Sequence, residues 1–127
     1  MCTLINISRK PTNNDALIRI YKTECHLNAK AADLLQLTSE RRAVRFSFDY
    51  DARRNGDERI FVCGCDNDTT RSYICRQHGK SFRISSTDLC TALAERLQGQ
   101  GVYRICPEVK AIYEGRTHYE IFFKKYE

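Results

Sequence analysis

Two stretches of this chain carry the same succession of signals: strand, short strand, helix cap, helix, strand, polar loop, strand. The first runs from Leu17 to Cys65 and the second from Ser72 to Phe123. Leu27-Asn28 matches Ile84-Ser85, Val44-Arg45-Phe46 matches Tyr103-Arg104-Ile105, and Ile60-Phe61-Val62 matches Tyr119-Glu120-Ile121, so the second stretch follows the first at a nearly constant offset. A slightly longer second helix accounts for the small drift. The repeat predicts an α+β domain of two tandem β-β-α-β-β units forming a pseudo-twofold, mainly antiparallel β domain with two short helices. Residues 1–16 pass through the turn-forming run Pro11-Thr12-Asn13-Asn14-Asp15 and read as an N-terminal arm. Residues 17–127 read as a single domain of two repeats, 17–66 and 71–127. The contrary reading is two unrelated strand and helix groups within one α+β domain.

Local chemistry supports each element. Leu17 to Lys22 alternates as a half-buried strand does, and Asn28 is a good cap for a helix over Ala29 to Leu37. Ala43 to Asp49 alternates strictly, placing Val44, Phe46 and Phe48 on one side. Tyr50 to Glu58 is polar and holds Asn55-Gly56, so it reads as an exposed loop leading to the strand Arg59 to Cys65. Ser85, with Asp88 three residues on, reads as the cap of a helix through Leu97, which Gly99 and Gly101 end. Val102 to Cys106 and Thr117 to Phe123 read as the last two strands, joined through Pro107 and Glu114-Gly115.

The second unit opens with a basic hairpin, RSYICRQHGKSFRIS from Arg71 to Ser85, which holds four cations and no acid. A two-residue turn at His78-Gly79 sets Gln77 opposite Lys80, Cys75 opposite Phe82 and Tyr73 opposite Ile84. Tyr73, Cys75, Phe82 and Ile84 then form an apolar face, while Ser72, Ile74, Arg76, Ser81, Arg83 and Ser85 form a polar, cationic one. Arg76 and Arg83, with Arg71, His78 and Lys80 at the ends, are placed to meet phosphates or base edges, since a two-stranded ribbon can enter a major groove. Arg19, Lys22 and Lys30 are their counterparts in the first unit. A cationic face that is merely solvated is the bland alternative. The excess of 21 Lys and Arg over 16 Asp and Glu, a net charge of +5, permits a polyanionic partner but is modest for a nucleic-acid binder.

Each unit resembles the swapped-hairpin module of the AbrB and MraZ type, in which a hairpin, a short helix and a second hairpin form half of an intertwined pair. The residues that carry the resemblance are Gly79-Lys80-Ser81-Phe82-Arg83-Ile84-Ser85, with Lys where that family has Arg and Ser where it has proline. Glu24-Cys25-His26-Leu27-Asn28, in the first unit, lacks the glycine. The resemblance implies one chain holding both halves and DNA binding, in a regulatory setting, through basic residues of the hairpins. The second function class is a non-enzymatic structural or protein-interaction module whose hairpin meets an acidic partner. A chain of this size folds alone or as a small oligomer such as a homodimer.

Other chemistry is thinly represented. Cys63, Cys65, Cys75 and His78 are a Cys₃His set of the kind that holds structural zinc, but structural sites usually place two or more residues between paired cysteines, and the hairpin register buries Cys75 while His78 stands at a turn. Buried thiols, Cys90 on a helix and Cys106 in a strand among them, are the favoured account, with no metal and no cofactor. Cys25 and His26 are strand neighbours and point to opposite faces, which removes them as a nucleophile and base pair. No catalytic motif is present, so an enzyme is not expected. The absence of a basic-then-apolar leader and of a long apolar run points away from membranes and towards the cytoplasm, where thiols stay reduced.

Overall fold

The computed structural model describes residues 15–67 and 71–125. In chain order the elements are β1 (Leu17–Ile20), β2 (Glu24–Leu27), α1 (Ala29–Leu34), β3 (Ala43–Phe48), α2 (Tyr50–Arg54), β4 (Ile60–Cys65), β5 (Tyr73–Ile74), β6 (Arg76–His78), β7 (Ser81–Ser85), α3 (Thr87–Arg96), β8 (Gly101–Tyr113) and β9 (Arg116–Lys125). The strands join in one antiparallel sheet of order β5-β3-β4-β9-β8-β1-β2-β7-β6. Pairs of strands from the segment that ends at Cys65 thus alternate with pairs from the remainder. The expected arm, residues 1–16, lies outside the described residues except for Asp15 and Ala16.

The two ends of this order are one continuous stretch of chain. Tyr73 and Ile74 pair with β3, then Arg76 to His78 pair with β7, and the change of edge falls on Cys75. The Cys75 N–H donates to the Arg42 carbonyl at 2.7 Å, so the crossing residue stays hydrogen-bonded and the sheet curls into a nearly closed barrel. Inside lie Ile18, Ile20, Cys25, Leu27, Val44, Val62, Phe82, Ile84, Tyr103, Ile105 and Ile121. Ala31, Ala32 and Leu35, on and just past α1, and Leu89, Cys90 and Leu93 of α3 complete the same core. Cys106 is buried as well, as the apolar reading of the thiols expects.

Asn28 anchors the first helix and the first strand together. Its Oδ1 accepts the N–H of Ala31 at 2.9 Å and of Leu17 at 3.0 Å, while its Nδ2 donates to the Asp15 carbonyl at 2.7 Å. Gly64 lets the sheet come close to the chain just past α1, because a Cβ there would run into the Leu35 carbonyl.

Several boundaries differ from those the sequence suggests. Three helices are described rather than two, since Tyr50–Arg54 forms α2: the Asp49 carboxylate caps it, accepting the Ala52 N–H at 3.1 Å. Ser86, not Ser85, caps α3, accepting the Leu89 N–H at 3.2 Å. Helix α1 stops at Leu34, short of Leu37. Strand β8 runs on through Pro107 because the pairing steps from Cys106↔Glu120 to Lys110↔Tyr119, leaving Pro107, Glu108 and Val109 as a bulge that asks nothing of the missing proline N–H. The β8–β9 hairpin then extends to a turn at Glu114-Gly115, both at positive φ. Arg45 to Glu114 (3.5 Å) and Arg116 to Asp66 (3.8 Å) tie this arm to β3 and to the end of β4.

Core packing and the Asn28 anchor should dominate stability. Phe82→Ala should cost about 3–5 kcal/mol through the cavity it leaves. Asn28→Ala should cost about 1–2 kcal/mol, since its side chain serves more than the cap. Urea denaturation checks both, and an unchanged midpoint for either would contradict the packing described.

Candidate nucleic-acid interface

The hairpin turn is Gly79-Lys80 rather than His78-Gly79. The observed pairs are Arg76↔Arg83, Gln77↔Phe82 and His78↔Ser81, with Gly79 at φ +63. Tyr73 faces Val44 instead of Ile84, since the chain has changed edge by then. The face assignment is unaffected: Cys75, Phe82 and Ile84 are buried, Tyr73 packs against the core, and Ile74 and Arg76 point outward and are exposed.

Register places more basic residues beside this pair than the hairpin alone contains. On the outer face Arg19 of β1 stands opposite His26 of β2, His26 opposite Arg83 of β7, and Arg83 opposite Arg76 of β6. Directly paired residues share a face, so these four side chains form one row across four adjacent strands, about 14 Å long at the usual strand spacing. His26 is half-buried, with the Tyr21 ring 4.7 Å away. It was not among the binding residues expected from the sequence. The signal was there: the hairpin pairing of Ile20 with Cys25 sets His26 opposite Arg19.

The other expected residues spread around the row. His78, on the same face as Arg76, and Lys80 stand at the β6–β7 turn, and Lys22 lies in the β1–β2 turn at the opposite end. Lys30 is exposed on α1. Arg71 precedes β5, which pairs with β3, and so stands off the row.

The hairpin contains no acid, but its neighbour supplies one. Glu24 Oε1 accepts from Arg76 Nη2 at 3.0 Å and from Ser85 Oγ at 3.3 Å, and its Oε2 lies 3.3 Å from His26 Nε2. The hydrogen bond from His26, then those from Arg76 and Ser85, hold the Glu24 carboxyl below the ordinary carboxylate range. Elsewhere Arg41, Arg45, Arg53, Arg59, Arg96, Arg104 and Arg116 each lie within 4.0 Å of a carboxylate. Among the described residues Arg19 and Arg83 have no such partner, and neither do Arg42, Arg54 and Arg71, which stand away from the row.

The Cys₃His set, disfavoured by its spacing, is not gathered into one site. Cys75 belongs to the inner core, Cys63 and Cys65 are buried on β4 with Cys65 near Cys75, and His78 is exposed at the hairpin turn. Among the described residues no three His, Cys, Asp or Glu side chains are gathered as a metal requires. Nor is any described helix long and apolar enough to cross a membrane. No protein-family model, curated protein or solved structure matches this chain.

Burial makes the thiols weak acids. It pushes Cys75 up to about 12, helped by the neighbouring Cys65, and it raises Cys25, whose Sγ lies 3.3 Å from that of Cys90. An unfolded thiol loses its proton near 9.0. Between that pH and about 12 the unfolded state therefore binds fewer protons than the native one, so these cysteines' contribution is complete below pH 9 and is lost as pH rises through the window. The urea midpoint should fall between pH 8 and pH 10, and a thiol reagent at pH 8 should label the six described cysteines slowly until denaturant is added. Immediate labelling of the native protein would refute the burial.

Proposed function

We propose that the row Arg19, His26, Arg83 and Arg76 is a contact surface for the phosphate backbone of DNA, and that the protein is a DNA-binding module with a regulatory role. The observation that carries the reading is the row itself: four basic side chains from four strands on one outward face, where the other arginines of the barrel are mostly held by carboxylates. Arg19 and Arg83 have no carboxylate partner among the described residues, while Arg76 and His26 share Glu24. Unneutralised cations on one face are what a polyanion selects, and their spacing across the strands gives more than one phosphate a partner.

A tandem, pseudo-twofold reading of the chain gains support from register. Exchanging β1 with β5 and β6, β2 with β7, β3 with β8, and β4 with β9 leaves the strand order unchanged. Moved by the offset that carries Cys25 to Phe82, the pair Cys25↔Ile84 becomes Phe82↔Leu27, which is also a pair. Moved by the offset that carries Ile60 to Tyr119, the pair Ile60↔Ile121 becomes Tyr119↔Val62, again a pair. The implied axis passes by His26↔Arg83, so that Arg19 and Arg76 are mates and the row is symmetric about it. Double-stranded DNA has the same kind of symmetry between its strands, and a twofold protein face matches it.

Salt dependence tests the reading. Replacing Arg19 and Arg83 with alanine should leave the thermal transition nearly unchanged, because surface substitutions cost no more than about 0.5 kcal/mol each. The slope of log affinity against log salt for a random-sequence duplex should flatten by about two, roughly 0.9 for each phosphate no longer engaged. A wild-type protein with no affinity for duplex at low salt would redirect the row to an acidic protein partner.

A further inference from the structure

We propose that the Glu24 carboxylate is a built-in stand-in for a DNA phosphate, occupying one half of the basic row and yielding its place when the backbone binds. This inference rests on the reading of the row as a phosphate surface. It accounts for a feature that reading leaves over, the single acid set into an otherwise cationic face.

The geometry is that of an anion site with its occupant supplied by the chain. Three donors from three strands converge on one carboxylate: Arg76 of β6 at 3.0 Å, Ser85 of β7 at 3.3 Å and His26 of β2 at 3.3 Å. Arginine and hydroxyl donors accept phosphate oxygens as readily as carboxylate oxygens. Stability does not explain the arrangement, because an ion pair whose arginine is 61% exposed adds little to a fold. Its effect is on selectivity: a resident carboxylate raises the threshold that any passing anion must cross, a repulsive element set beside the attractive ones. The two halves of the row are also unequal. The offset that carries Cys25 to Phe82 carries Glu24 to Ser81, which has no charge, so Arg19 has no carboxylate partner among the described residues while its mate Arg76 is occupied.

Removing the charge should release the occupied half. Glu24→Gln, titrated with a random-sequence duplex at two salt concentrations, should bind about tenfold tighter than wild type at low salt, the worth of one charge-assisted hydrogen bond. The slope of log affinity against log salt should steepen by about 0.9. Glu24→Ser, which copies the residue at position 81, should show the same gain, and its thermal transition guards against a folding artefact. Glu24→Gln combined with Arg76→Ala should lose the gain. Glu95→Gln makes the same change of net charge at an exposed position on α3, and it should move affinity far less. If both Glu24 variants bind no tighter than a wild type that does bind, the proposal falls and the phosphate reading stands. A gain that survives loss of Arg76, or is matched by Glu95→Gln, is a net-charge effect and also overturns it. Failure of every protein to bind duplex at low salt removes the phosphate reading, and this inference with it.

Discussion

Everything about the barrel turns on how one residue crosses from one sheet edge to the other. Cys75 joins Tyr73–Ile74 at one end of the nine-stranded sheet directly to Arg76–His78 at the other, and its N–H on the Arg42 carbonyl keeps the crossing hydrogen-bonded. Open sheet edges invite pairing with other chains, and a short segment that serves both edges removes the hazard. The same crossing directs the Cys75 side chain inward and the next residue, Arg76, outward. Core closure and the placement of the basic row are therefore two results of one backbone event.

Charge is distributed to match. Most described arginines of the barrel lie beside carboxylates or over aromatic rings: Arg53 and Arg96 both sit over the Phe48 ring, at 5.0 and 4.8 Å, with Glu58 beside them. Such groups serve packing as much as charge, since their stems cover apolar surface. On the four-strand face bearing the row, Glu24 holds only Arg76 and His26, and Arg19 and Arg83 have no carboxylate partner among the described residues. A modest total charge can thus conceal a concentrated local one, which is why net charge alone said little about partners.

How much was legible in the sequence depended on whether a signal was local. Alternation in Val44, Phe46 and Phe48 fixed a strand, and Asn28 fixed a cap, because each follows from neighbours along the chain. The inward face of Cys75, Phe82 and Ile84 was recoverable for the same reason. What failed was either a contest between near-equal neighbours or a long-range choice. Ser85 and Ser86 compete for one cap, and the outcome depends on where β7 ends against Glu24. The turn moved by one residue because Gly79 can serve either central position of a two-residue turn. Helix α2 escaped notice since Tyr50 to Arg54 has no apolar stripe; its support is the Asp49 cap and Arg53 packed over Phe48. The basic row and Glu24's place in it needed the β2–β7 pairing, which joins residues far apart along the chain.

That alternation of strand pairs has a consequence for how the protein comes into being. The pairings β2–β7 and β4–β9 bracket the molecule, and each must wait until most of the chain has been made. As the first half emerges, β2 and β4 each lack a neighbour, and the apolar side chains that will line the barrel have nothing to bury against. Long loops must close before these contacts reward them, which places the fold among slow, high-contact-order topologies. Neither half is a separable folding unit, since half a barrel leaves its inner face wet. Until both pairings form, the inner face stays exposed, and that interval is when the chain is most open to aggregation.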